Sequence, residues 1–461
     1  MTTPFVSVII VNYNGAHFLT DCLNALHAQT YPNQCFEVIV SDNGSTDGSL
    51  ELLQTSYPWV KVIDNQCNLG FASGNNVGIK QAQGQYVVLL NNDTAPTAQW
   101  LASLVTLAEN NPEAGIITGH LQLFYDQLEL VIESETIIPI NDGRTLGIQV
   151  FGVDTGAQRG VVQHLDGFYG REFFEGQYFR WTKGRAILGV PLPHNKNLQR
   201  IQFCLAASRP INSPVHAQVL LGDEVLAQWE LLGSSPTLYT VELPESKRAL
   251  ATPLVQNAGS VIFSSGAGRD RGTFVRGAEV FYEVDKHQYD RVEEVFAACG
   301  ANMLIRRALL DDVGLFDDDF FMYYEDTDLS WQARLRGWKI LYAPKAIVRH
   351  IHCGSSIEWS PSFVYHADRN RLAMLFKNAE IREIVIAWCK YLGRTLKNTF
   401  DNLILSLQGK VNWKSQMKTQ SIQYRVMGKL ILWLPKLYRK RRVIQSRRRV
   451  SADAIQKWFV E

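Results

Sequence analysis

Residues Phe5–Gly48 read FVSVIIVNYNGAHFLTDCLNALHAQTYPNQCFEVIVSDNGSTDG, and this stretch decides the fold. Phe5 to Val11 is a short continuous apolar run, the pattern of a strand buried on both faces. Asn12-Tyr13-Asn14-Gly15 ends it, and a helical pattern runs from about Ala16 to Gln29 with Leu19, Leu23 and Leu26 on its inner face. Phe36 to Val40 is a second strand, broken by the turn-rich run Ser41–Gly48. Outward from there the alternation continues with helix Ser49–Ser56, strand Val60–Asp64, helix Ala72–Gln83, strand Tyr86–Leu90 and a helix from Ala98 to Asn110. Strands alternating with helices at this spacing predict an α/β fold, a Rossmann-like, mostly parallel sheet wound right-handed. In such sheets ligands bind beyond the carboxyl ends of the strands. The loops Asn12–Gly15, Asp42–Gly48 and Asn91–Thr94 all fall at that edge and are expected to converge on one crevice.

Asn91-Asn92-Asp93-Thr94 holds a carboxylate, Asp93, at a strand end. With a distant imidazole it suffices for a hard cation such as Mg²⁺ or Mn²⁺, which takes oxygen ligands and keeps sites for phosphate and water. Read alone, the same residues are a turn that caps the next helix. Residues Asn68–Asn76, NLGFASGNN, are richer than a turn requires. Gly70 permits close approach, and Asn68 and Asn75 offer amides to a phosphate or sugar at a helix N-terminus.

Phe316–Ser356, FDDDFFMYYEDTDLSWQARLRGWKILYAPKAIVRHIHCGSS, brings an aromatic approach to two adjacent carboxylates, Glu325 and Asp326. A helix with Leu329, Ala333 and Leu335 as apolar positions follows and stops at Gly337. Carboxylates in a first helical turn are stabilised as anions, so this pair is expected to be ionised and able to accept a proton. Two short strands come next, Ile340–Ala343 and Ala346–His352; His350 and His352, two residues apart, project to one side. The simpler reading is a capped helix and two surface histidines.

The 461 residues, 46% hydrophobic and 20% charged, have an ordinary globular composition, enough for about two to four domains. Seven scattered cysteines without a CxxC pair favour reduced thiols over a disulfide framework or zinc site. The start MTTPFVSVIIVNYN lacks the basic start and cleavage site of a signal peptide, and no stretch has the length of a membrane span. The net charge of +1 hides an asymmetry: from Lys377 onward there are 19 Lys and Arg against 5 Asp and Glu, a net of +14, leaving −13 on the rest.

Residues 120–255 read differently, as short β-type runs separated by turns, which predicts an inserted antiparallel β-sandwich. Tyr178, Phe179, Arg180 and Trp181 within it are either a sugar platform or core; a spacer or homodimer-forming role is the expected one for the insertion. A Gly-rich connection, Asn257 to Gly272, has the composition of a mobile lid. The C-terminal helical tail, 377–461, carries the stripe Ile381, Ile384, Val385, Trp388, Leu392, Leu396, Phe400, Leu403 and Leu407, then Lys436-Leu437-Tyr438-Arg439-Lys440-Arg441-Arg442. Basic clusters beside an amphipathic helix predict attachment to an anionic membrane surface. The same charge suits nucleic acid, but no nucleic-acid motif accompanies it, so no nucleic-acid partner is expected.

Six runs, VSVIIVNYN, VIVSDNGSTDGS, NLGFASGNNVGI, YVVLLNNDT, VGLFDDDFFMYYEDTDLSWQARLRGW and VRHIHCGSS, resemble in order the motifs of family-2 glycosyltransferases with a GT-A fold. The closest flavour is the rhamnosyltransferase-like branch of bacterial surface polysaccharide assembly. The likeness covers residues 4–119 and 256–375, the two halves of the expected GT-A domain (1–119 and 256–376). It implies inverting transfer of a sugar from a nucleotide-diphosphate donor, of dTDP-rhamnose or UDP-sugar type, to a hydroxyl of a lipid-linked glycan or glycolipid. It places Tyr13 and Asp42 at positions that hold the nucleotide base, with Asn14, Asn68, Gly70, Asn75 and Asn92 around the nucleotide. Asp93 falls at the last acidic position of the metal motif, His350 at the metal-side histidine and Asp326 at the general base, with Glu325 tuning it. His352 is left between phosphate, metal and acceptor. Asn91 stands where a strict Asp-x-Asp has its first acid, implying a weaker or more exchangeable Mg²⁺ or Mn²⁺ site. The implied location is cytoplasmic, peripheral on the inner face of the cell membrane. A non-catalytic glycan-binding or scaffold protein on the same fold is the alternative, and the complete set Asp42, Asp93, Asp326 and His350 argues against it.

Overall fold

The structure is a computed structural model and describes residues 3–156, 160–193, 199–209, 213–276, 279–351, 360–408 and 413–461. The chain forms two compact units: Met1–Gln122, Val255–Thr273 and His287–Glu461 make the first, Leu123–Leu254 and Phe274–Lys286 the second.

The first unit opens with β1 (Val6–Asn12), α1 (Ala16–His27), β2 (Phe36–Asp42), α2 (Ser49–Ser56), β3 (Lys61–Asp64), α3 (Gly70–Gln81) and β4 (Tyr86–Leu90). The strands pair in parallel in the order β3-β2-β1-β4. Then come β5 (Thr94–Pro96), α4 (Trp100–Asn110) and β6 (Ala114–Ser134). Beyond β4 the sheet turns antiparallel: Leu304 of strand Asn302–Arg306 lies between Val88 and Ile117. The apolar runs are continuous because both faces are covered. Val8 and Ile10 pack with Leu19, Leu23 and Trp100 on one side, and Ile9 packs with Ile79, Leu329 and Ala333 on the other, as the two-residue period of a strand requires. This is the GT-A arrangement that the resemblance implies.

Two expected strands, Ile340–Ala343 and Ala346–His352, are one, Lys339–His350. Pro344 lacks an amide hydrogen but keeps an extended backbone, so it interrupts the apolar run without ending the strand. The Gly-rich lid is a hairpin instead: Ser260–Phe263 pairs antiparallel with Gly268–Asp270, and Phe459–Val460 adds a parallel third strand.

The second unit is an antiparallel sandwich. Leu130, Leu188 and Val219 from one sheet meet Val150, Phe203 and Val241 from the other. Phe179 and Trp181 are buried, so this aromatic run is core; only Tyr178 is exposed, and Arg171 covers its ring. Strand Glu279–Val284, read from sequence as part of the returning half, belongs here and ties in through an Arg180–Glu279 ion pair.

The tail is not a separate basic module. Helices Pro361–Asn378, Ile381–Leu407 and Trp413–Ser446 belong to the first unit, and Val426, Leu430, Leu437 and Ile455 share a core with Phe296, Phe320 and Trp331. Several of its charges are used inside the unit. Lys377 lies between Asp317 at 2.6 Å and Asp328 at 2.7 Å, Lys440 reaches Asp317 and Asp319, and Lys436 reaches Asp319. Arg441 donates to the carbonyls of Phe376 and Ala379.

Burial disfavours ionisation of Asp317, but the Lys377 and Lys440 ammonium groups outweigh it and hold the carboxyl well below the usual range. Burial instead raises Asp328, so Asp317 is the firmer anion. A carboxyl depressed in the folded state contributes its full stabilisation above its unfolded pKa, about 4; the contribution declines below that and is lost as pH falls through the depressed folded pKa. Lys377→Met leaves two buried acids without their shared cation and is expected to cost about 3–5 kcal/mol at neutral pH. Denaturant midpoints measured from pH 7 to pH 3 should show the gap between parent and variant narrowing toward the acid end without closing there, because the folded pKa of Asp317 lies lower still. Removing residues 379–461 should yield aggregated protein rather than a free catalytic domain, read by size-exclusion chromatography and near-UV circular dichroism.

Candidate active site

The loops after β1, β2 and β4 do converge. Asp42 is fully buried and accepts from Asn12 Nδ2 at 2.8 Å, from the Ser45 amide at 2.7 Å and from Ser45 Oγ at 2.7 Å. Asn92 Nδ2 donates to Asn12 Oδ1 at 2.7 Å, beneath Gly15, where a Cβ would lie only 2.2 Å from that amide nitrogen. Asn14, in the left-handed region at φ 50°, accepts from the Thr46 amide and donates its own amide to Ser45 Oγ. Asp42, Asn14 and Asn92 therefore order the loops. Tyr13 stands out from them with 43% of its surface exposed, an open ring at the crevice edge.

The Gly70 backbone amide and the Asn75 side-chain amide are already engaged, while the Asn68 side chain is exposed. The Gly70 amide donates to Asn68 Oδ1, Asn75 Nδ2 donates to the Phe71 carbonyl, and the first helical amides, Phe71 and Ala72, donate to the Phe321 carbonyl at 2.6 and 3.1 Å. A helix N-terminus binds an anion only while its amides are unclaimed. Gly70, at φ 78°, is required instead because a Cβ there would lie 2.4 Å from that same carbonyl oxygen.

Asp93 and His350 are brought together by strand register, since β5 runs antiparallel to the long strand with His350 opposite Thr94. His350 shares its inward face with Ala346 and Val348. Its Nε2 lies 3.2 Å from Asp93 Oδ1 and 3.4 Å from Asn91 Nδ2, and its Nδ1 lies 2.8 Å from Gln256 Oε1. A carbonyl oxygen facing Nδ1 calls for a proton there, which turns the Nε2 lone pair toward the carboxylate. That juxtaposition fits a cation held between the two. Among the described residues no group of three or more His, Cys, Asp or Glu forms a metal cluster; Asp93 and His350 are the residues here that would hold the ion. His352 lies outside the described residues.

Asp326 lies in the first turn of helix Glu325–Leu335 and is partly accessible. Oδ2 accepts from the Gly300 amide at 2.9 Å, and Oδ1 from the Thr327 amide at 2.6 Å and Thr327 Oγ1 at 3.1 Å. Glu325 is buried, and its Oε2 has no hydrogen-bond partner among the described residues. The expectation of two carboxylates stabilised as anions is corrected here. Burial, then the Asp326 charge, pushes Glu325 well above the usual range. Burial also raises Asp326, against its three donors and with help from the Asp270 charge. Glu325 is thus pushed toward its neutral form, more strongly than Asp326.

Gln256, Gly300, Thr327 and Asp270 escaped the sequence reading. A glutamine directly after the apolar run Pro253–Val255 was the available signal for Gln256, which is 3% exposed.

A family model described as "Glycosyl transferase family 2" matches residues 7–155, and one described as "Glycosyltransferase like family 2" matches 278–373. Glycosyltransferase AglE of Haloferax volcanii is 30% identical over 243 residues, 50% of this chain and 76% of AglE. Cholesterol galactosyltransferase of Borreliella burgdorferi is 27% identical over 149 residues, and this match spans 32% of the chain and 40% of that relative. A solved mannosyltransferase from Pyrobaculum calidifontis, in complex with GDP-Man and Mn²⁺, has a TM-score of 0.40 at 13% identity, covering 99% of this chain and 87% of that one. With AglE matched at 30% identity across 76% of its length, the chain belongs to glycosyltransferase family 2.

Proposed function

We propose that the protein moves a sugar, with inversion, from a nucleoside-diphosphate sugar of dTDP-rhamnose or UDP type to a hydroxyl of a growing lipid-linked surface glycan. It acts from the cytoplasmic side, peripherally on the membrane. The observation that carries this reading is Asp326, a partly accessible carboxylate oriented by three donors in the same unit as the Asp93–His350 pair.

Inversion needs a base for the acceptor hydroxyl and no covalent nucleophile on the enzyme. Asp326 takes that proton; its upward shift brings it toward working pH while leaving it the more acidic of the two neighbouring carboxyls. A protonated Glu325 keeps a second negative charge away from the reacting hydroxyl. Tyr13 offers its exposed ring to the nucleotide base. A divalent cation, Mg²⁺ or Mn²⁺, held by Asp93 and His350 would supply Lewis-acid stabilisation of the departing diphosphate. Gln256 orients the histidine from behind.

Asp326→Asn keeps shape but cannot take a proton, and turnover should fall by about two to four orders of magnitude with nucleoside-diphosphate binding retained. Because the base must be ionised and its pKa is raised, the acid limb of the parent's kcat profile should lie above about pH 4. Near-normal turnover in the variant would reject Asp326 as the base.

Asp93→Ala and His350→Ala should each abolish most Mn²⁺-dependent binding of UDP or dTDP in calorimetry. Gln256→Leu should weaken it by about 10–100-fold without touching the ion. Binding by His350→Ala equal to the parent would remove the histidine from the metal site.

A further inference from the structure

Helix Ile381–Leu407 is apolar on two opposite faces. One face, with Ile384, Ala387 and Tyr391, is buried in the first unit. Trp388 Nε1 donates to the Leu372 carbonyl at 3.3 Å and Tyr391 Oη to Asp368 Oδ2 at 3.2 Å, so the helix is fixed about its own axis. On the other face Ile381, Val385, Leu396, Phe400, Leu403 and Leu407 are all exposed, from 43% to 79%. At 100° per residue these six fall within an arc of about 100°, and the exposed Ile386 and Ile404 widen it to about 140°. Lys390, Arg394 and Lys397, all exposed, follow along one border of the arc.

A two-helix seam uses a narrower stripe, one residue alternately every three and four. A broad arc with a basic border matches a flat apolar medium with anionic groups at its edge. No helix among the described residues is long and apolar enough to cross a membrane, and this one, about 40 Å long at 1.5 Å per residue, is shaped to lie along a surface. The basic run Lys436–Arg442, the charged part of the anchor expected from sequence, has Lys436, Lys440 and Arg441 engaged within the unit.

We propose that the exposed face of helix Ile381–Leu407 lies in the interface of an anionic lipid bilayer, with its apolar arc among the acyl chains and Lys390, Arg394 and Lys397 at the headgroups. This deepens the peripheral-membrane part of the function proposed above by naming the surface that docks.

Sedimentation of the full chain with vesicles tests it, using phosphatidylcholine alone and mixed with phosphatidylglycerol. The double variant Leu396→Glu, Phe400→Glu alters only exposed positions, and an unchanged thermal midpoint shows that it is folded. It should bind both vesicle types at least about tenfold more weakly, at low and high salt alike. Lys390→Gln, Arg394→Gln and Lys397→Gln together should lower partition onto the anionic vesicles by about a hundredfold at low salt, with no change on phosphatidylcholine. Parent-level vesicle binding by the Glu variant overturns the proposal. So does a parent that ignores both vesicles, or a parent dimer in light scattering that the Glu variant converts to monomer, which would put a second copy on this face. Donor hydrolysis without vesicles is read separately: its absence in a vesicle-binding parent sinks the transferase reading and leaves this one standing.

Discussion

The catalytic unit depends on a strained turn. Phe321, Tyr323 and Tyr324 all have positive φ, between 58° and 70°. For residues with bulky side chains that costs about 1–2 kcal/mol each. The turn persists because its carbonyls are claimed on two sides. Asn370 Nδ2 lies within 2.9 Å of the carbonyl oxygens of Phe320, Met322 and Tyr323, and the Phe321 carbonyl closes the N-terminus of α3. Three elements far apart in sequence thereby set the point at which helix Glu325–Leu335 begins, and with it the position of Asp326.

The same turn links chemistry to the tail. Just before it stand Asp317, Asp318 and Asp319; Asp318 receives Ser73 and Asn76 from α3, while Asp317 and Asp319 receive lysines from the C-terminal helices. Buried ion pairs of this kind are poor stabilisers in net terms but severe to break. Their effect is to specify one placement of the base-bearing helix between α3 on one side and the tail on the other.

The alternation of strand and helix was legible because β1, β2 and β4 are covered on both faces and so must be continuously apolar. The meeting of Asp93 with His350 was legible in part: a carboxylate after one strand and an imidazole in another suggested it, and only the pairing register made it definite. Gln256 was not, because its contact with His350 reaches from one buried strand to another. The expectation of open amides at the N-terminus of α3 fails for a plain reason, since composition does not show whether a carbonyl, here that of Phe321, already occupies a helix N-terminus. The tail misled in part for a related reason: Lys377, Lys436 and Lys440 were counted as free charge while the aspartates that receive them were counted in the body. The two carboxylates in the first helical turn were expected as anions, but burial outweighs the helix end.

The sheet also has a history in time. β4 is flanked on one side by β1, made early, and on the other by strand Asn302–Arg306, with Leu90 opposite Asn302. A ribosome adding 5–20 residues per second leaves that edge of β4 uncovered for on the order of 10–40 s while the whole second unit is synthesised. An unpaired, wholly apolar strand is the kind of edge on which chains aggregate. The insertion therefore makes the nascent first half a natural client for chaperones, and it makes translation speed across residues 123–301 a determinant of yield.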